Sequence, residues 1–204
     1  MLCVYDFDGT LYRTGKMWEF WISALEQEGY QREKCEQKGP LVFWEGFTPT
    51  RHLLEIDPEC AQEKVEKLTK LYQDHIQKQH NANLYPEVER YLAEREVGQQ
   101  VIMTHGDPEF QRFKVGATGV DKFVSEIRIS RPENRKVDQL AALAKEHKEE
   151  IIYVENNPRE LREVLEAKLP ISLVRMVREG ERHADKPCPE DDKEWKVVTS
   201  LREI

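Results

Sequence analysis

The chain has 204 residues, enough for one medium domain or a compact core carrying one sizeable insertion, and enough to bury a core without disulfides. Charged residues make up 34% and hydrophobic residues 39%, which excludes a disordered chain. Thirty-nine acidic residues against 31 basic ones give a net charge of −8, which argues against a broad nucleic-acid or anionic-membrane surface.

Met1 to Tyr5 is a short apolar run that meets Asp6 at once, so neither a secretory signal nor a membrane span is expected. The four cysteines, Cys3, Cys35, Cys60 and Cys188, form no Cys-x-x-Cys pair. A zinc ribbon or dithiol site is therefore not expected, and the reading is a reducing, cytoplasmic compartment. Leu2 to Tyr5 ends in a turn signal and reads as a buried strand. Residues 17–28 carry Met17, Trp18, Trp21, Ile22 and Leu25 at helical spacing. Residues 39–50 read as an irregular aromatic stretch. Asp57-Pro58-Glu59 offers an N-cap, a first-turn proline and a dipole-favourable acid to a helix bearing Val65, Leu68, Leu71, Tyr72 and Ile76.

After Leu84 the rhythm changes. Helices are expected from Pro86, from Asp107-Pro108, over 134–147 and from Asn157-Pro158. Strands are expected at 100–104, 123–129, 151–154, 171–177 and 195–198. Residues 179–194 read as a surface loop. This alternation predicts an α/β fold: a Rossmann-like parallel sheet flanked by helices, with an inserted helical cap. The expected division is a core of residues 1–11 and 84–204 and a cap of residues 12–83. Ligands of such sheets bind beyond the carboxyl ends of the strands, which directs attention to residues 6–10, 104–107, 130–136 and 155–160.

Asp6 and Asp8 flank one apolar residue directly after the first strand, and alternation points both carboxylates the same way. Two such carboxylates repel and favour a cation, and hard oxygen ligands suit Mg²⁺. One carboxylate can act as a nucleophile on phosphorus, and a second can protonate the leaving group and then activate water. Gly9 permits the sharp turn between strand and helix.

Val4-Tyr-Asp-Phe-Asp-Gly-Thr-Leu11 resembles the first motif of the haloacid dehalogenase-like hydrolases. The resemblance implies a Rossmann-like core, Mg²⁺ and, for most members, phosphatase activity. It makes Asp6 the nucleophile and Asp8 the general acid/base, with the Asp6 carboxylate and the Asp8 backbone carbonyl on Mg²⁺. Thr104, followed by His105 and Gly106, resembles the second motif and would bind phosphoryl oxygens. The third motif needs a cation, and Lys136 and Arg131 both qualify. Glu155 and Asn156 occupy the fourth motif, where the family usually shows two acids or Gly-Asp. A neutral Asn156 would hold Mg²⁺ more weakly, and Glu155 could compensate. The expected function is hydrolysis of a small phosphorylated metabolite through an aspartyl-phosphate. The alternatives are a non-catalytic binding or regulatory protein on the same fold and a metal-independent dehalogenase. Nothing in the sequence indicates the oligomeric state.

Overall fold

The computed structural model describes residues 1–186 and 194–204. Pro187, Cys188 and Pro189, in the expected surface loop, lie outside the described residues. Six parallel strands form one sheet in the order β3-β2-β1-β4-β5-β6. They are β1 (Leu2–Tyr5), β2 (Gln100–His105), β3 (Glu126–Ser130), β4 (Ile151–Glu155), β5 (Ile171–Met176) and β6 (Lys196–Val198).

Strand alternation sends side chains to two apolar layers. Leu2, Val4, Val101, Met103, Ile151 and Tyr153 pack with α7 (Lys136–Glu146) and α8 (Pro158–Glu166) on one face. Cys3, Tyr5, Ile102 and Val154 face α5 (Val88–Ala93) and α6 (Pro108–Thr118) on the other. The expected caps form at two helices: Asp107 accepts from the Phe110 N–H at 3.0 Å, and Asn157 from the Arg159 N–H at 3.1 Å.

Besides α5, four helices stand between β1 and β2: α1 (Thr14–Gln27), α2 (Arg32–Phe43), α3 (Pro49–Ile56) and α4 (Gln62–Gln79). Two expectations fail here. The stretch at 39–50 is half helical, because α2 runs through Pro40 to Phe43 and α3 starts at Pro49 behind a Thr48 cap. A Cβ on Gly39 would come within 2.8 Å of the Trp18 ring, so that glycine is the packing seat of the tryptophan. The helix expected from Asp57 starts at Gln62 instead. Asp57 closes α3, its N–H bonding to Leu53 O, while its carboxylate accepts from the Tyr30 hydroxyl at 2.9 Å.

Trp21, Leu53, Leu68 and Ile76 form the inner side of these helices, with His52 fully buried among them. Trp21 Nε1 donates to His52 Nδ1 at 2.8 Å, so the ring proton sits on Nε2 and is donated to Cys35 O at 2.9 Å. Burial lowers the His52 pKa to about 4 from 6.5, the Cys35 hydrogen bond acting the other way. The unfolded chain therefore binds this proton well before the folded one does. The associated stability, at most about 3 kcal/mol, is complete above pH ~6.5 and is lost as pH falls towards 4. Urea unfolding at several pH values should show a smaller acid loss in His52→Gln than in the wild type. Equal losses would exclude His52 as the source.

Candidate active site

The winding of the sheet reverses between β1 and β4, which are neighbours at its centre. A crevice opens there beyond the strand ends. Asp6 leaves β1 with its N–H on Val154 O at 2.8 Å, and only 3% of the residue is exposed. Its Oδ1 accepts from Lys136 Nζ at 2.6 Å, and the same ammonium donates to Glu155 Oε2 at 2.7 Å. The Tyr153 hydroxyl also donates to Glu155 Oε2, and the Asn157 N–H to Glu155 Oε1 at 2.9 Å. The second oxygen of Asp6, Oδ2, is buried with no hydrogen-bond partner.

Burial, then the charge of Glu155, and at longer range that of Asp8, hold the Asp6 carboxyl above its ordinary value against the pull of Lys136. Burial alone would lower the Lys136 ammonium, but Asp6 and Glu155 outweigh it and keep it protonated. Asp8 differs. Lys114 Nζ donates to both of its oxygens, at 2.6 and 2.8 Å. Thr14 Oγ1 donates to Oδ1 at 2.8 Å and Gln111 Nε2 to Oδ2 at 3.0 Å, with Thr104 Oγ1 at 3.5 Å. Burial would raise the Asp8 carboxyl, yet Lys114, Thr14 and Gln111 together hold it below its ordinary value. Three carboxylates, Asp6, Asp8 and Glu155, thus face two ammonium groups, and the surplus negative charge falls beside the unpartnered Asp6 Oδ2.

Gly9 turns the chain at φ +78°, and a Cβ there would stand 2.1 Å from Asn156 Nδ2 and 3.4 Å from Glu181 Oε2. Asn156, 6% exposed, therefore packs directly on the turn that follows Asp8. Glu181 is buried too, not a solvated loop residue. Its Oε2 accepts from the Gly15 N–H at 3.0 Å and its Oε1 from the Tyr85 hydroxyl at 2.9 Å. It thereby ties the chain entering the inserted helices to the chain leaving them.

The sequence profile of the haloacid dehalogenase-like hydrolases matches residues 1–164, four-fifths of the chain. The chain belongs to this family. Among solved structures it is similar to a haloacid dehalogenase-like hydrolase from Burkholderia xenovorans, with a TM-score of 0.71 at 18% identity, covering 97% of this chain and 91% of that one. It is similar to a "predicted phosphoglycolate phosphatase" from Haemophilus somnus, with a TM-score of 0.59 at 16% identity over 96% and 92% of the two chains. It is also similar to the L-2-haloacid dehalogenase of Xanthobacter autotrophicus bound covalently to chloropropionic acid, with a TM-score of 0.60 at 15% identity over 90% and 80%. At these identities the likeness is one of fold. No curated protein sequence matches the chain.

In this haloacid dehalogenase-like hydrolase most of the positions singled out from sequence come together, with partners that differ from those expected. Lys136, at the first turn of α7, reaches Asp6, whereas Arg131 pairs with Glu133 at 3.3 Å and is half exposed. Thr104 lies between Asp8 and Gln111 Oε1, the latter at 3.3 Å. His105 has both ring nitrogens engaged: Nδ1 accepts from Ser130 Oγ at 3.2 Å and Nε2 donates to Trp44 O at 3.0 Å. It links the inserted helices to the sheet. A Cβ on Gly106 would be 2.8 Å from Gln111 Nε2, so this glycine admits Gln111, which also donates to His105 O at 2.8 Å. Gly46 lies against the same turn, where a Cβ would meet Asp107 N at 2.4 Å. The segment 44–48 is thus seated over the crevice, and Asp8 keeps 24% of its side chain exposed beneath it.

Lys114, Gln111, Thr14 and Glu181 were not identified from sequence. Gln111 and Lys114 are three apart on α6 and share a face. That spacing was the available signal, and it does not distinguish a solvated face from one turned onto a carboxylate.

Proposed function

We propose that this hydrolase is a Mg²⁺-dependent phosphomonoester phosphatase acting on a small phosphorylated molecule, with Asp6 as the nucleophile. The observation that carries the reading is the pair of unlike carboxylates. Asp6 has one oxygen aligned by Lys136 and one oxygen without a partner, while both oxygens of Asp8 accept from Lys114 Nζ. Asp6 attacks phosphorus, the bond from phosphorus to the leaving oxygen breaks, and that oxygen takes a proton from Asp8, which Asp8 draws from Lys114 Nζ. The same pair then accepts a proton from water as its oxygen attacks the aspartyl-phosphate, which releases phosphate and restores Asp6. Lys136 remains charged and offsets the anionic phosphoryl group. Displacement of halide from carbon needs no such proton device, which favours the phosphatase reading over a dehalogenase.

The donor set fits a divalent cation. Among the described residues no group of three or more His, Cys, Asp or Glu could hold a metal by itself. The Asp6 carboxylate, the Asp8 main-chain carbonyl and the Asn156 amide oxygen would hold Mg²⁺, and the orphaned Asp6 Oδ2 in a region of surplus negative charge supports this. When bound, Mg²⁺ supplies charge neutralisation between nucleophile and phosphoryl oxygens. Release of phosphate from a generic aryl phosphate should require Mg²⁺, and its absence over a broad panel of phosphomonoesters would refute the reading. Asn156→Asp adds a charge to the donor set. It should tighten Mg²⁺ binding by about tenfold, read by calorimetric titration of the resting enzyme. An unchanged affinity would remove Asn156 from the metal site.

A further inference from the structure

The chain is acidic overall, with a net charge of −8, yet the mouth of the site is cationic. Arg159 is the second residue of α8, four residues beyond Glu155, and its guanidinium stands 5.7 Å from the Trp44 ring centre. Arg182, next to Glu181, stands 4.9 Å from the ring centre of Phe43. Phe43 and Trp44 are consecutive at the end of α2, and the Trp44 carbonyl rests on His105 at the carboxyl end of β2. Both guanidinium groups therefore flank one aromatic corner of the inserted helices, above the phosphoryl site. Lys186 belongs to the same cluster: burial first, then the charges of Arg182 and Arg159, lower its ammonium.

Counter-charge is thin. Arg159 shares Glu163, at 3.4 Å, with Arg135, at 3.6 Å. Among the described residues no carboxylate pairs with Arg182 or Lys186. Trp44, beside Arg159, is 56% exposed. Among the described residues the cluster thus holds more cations than paired carboxylates, and such a patch attracts and orients an anion. The transferred phosphoryl group already has Lys136, so this cluster faces a different part of the ligand.

We propose that the part of the substrate that leaves with the ester oxygen carries a second anionic group, a carboxylate or a phosphate, held by Arg159 and Arg182 beside Phe43 and Trp44. This rests on the phosphatase reading and narrows its substrate class to doubly anionic phosphomonoesters.

The test compares phenyl phosphate, 4-carboxyphenyl phosphate and 1,4-phenylene bisphosphate in the wild type and in the double variant Arg159→Gln/Arg182→Gln. Both arginines are exposed, so their replacement should leave the fold intact. In the wild type the ratio of kcat/KM for each doubly anionic substrate over phenyl phosphate should be about tenfold above that in the double variant, chiefly through KM. The double variant serves as the reference for the leaving groups' own reactivity. The advantage should shrink as salt rises from about 20 mM to about 0.5 M, as expected for exposed charges. A gain on only one anionic substrate identifies the second group as carboxylate or as phosphate. The same ratios in wild type and double variant would overturn the proposal and leave the phosphatase reading standing. No turnover of any of the three would overturn both.

Discussion

Asp6→Asn should reduce kcat on an aryl phosphate by on the order of 10⁴-fold or more, because removal of a covalent nucleophile removes a route and not only a contact. The fold should survive. Asp6 is buried in a cluster with more carboxylates than ammonium groups, and its Oδ2 has no donor. An amide of the same size relieves like-charge repulsion from Glu155 and Asp8 and still offers an oxygen to Lys136. Thermal unfolding without Mg²⁺ should therefore show Asp6→Asn at least as stable as the wild type. A variant that loses activity together with several degrees of Tm would make Asp6 a structural carboxylate.

Lys136→Met should do the opposite, costing both activity and stability. The ammonium is 5% exposed on its side chain and stands between Asp6 and Glu155 at 2.6 and 2.7 Å. Its removal leaves two buried carboxylates without their shared cation, a change worth about 3–5 kcal/mol in comparable buried pairs. One of the two carboxylates should take up a proton in response, so the loss should be smaller at acidic pH than at neutral pH. Urea unfolding of Lys136→Met at pH 5.5 and 7.5 measures this difference. Equal destabilisation at the two pH values, or none, would mean that Lys136 does not neutralise the site.

The parallel sheet was legible because its central strands β1, β2 and β4 are short, largely apolar runs bounded by turn residues, and Asp107-Pro108 and Asn157-Pro158 cap the helices they announce. Asp6 and Asp8 were legible because their spacing at a strand end carries the chemistry locally. Asp57-Pro58 misled, since the same residues can end one helix as well as begin another. The Tyr30 hydroxyl, 27 positions away, decides between these by holding the Asp57 carboxylate, and it is a tertiary partner. Lys114 is 106 positions from Asp8 and lies on a helix rich in aromatic residues, where a lysine is as readily read as a solvated residue. Glu181 reaches Gly15 across 166 positions. Such partners are set by the winding of the sheet, and no local pattern encodes them.

The central claim is that Asp6 carries the phosphoryl group during turnover. Acid quenching in the steady state with an aryl phosphate and Mg²⁺, followed by mass spectrometry of the peptide containing Asp6, tests it most directly. A phosphoryl group on Asp6 of the wild type, absent from Asp6→Asn, is the predicted result. Rapid phosphate release with Asp6 unmodified, or undiminished in Asp6→Asn, would contradict the account.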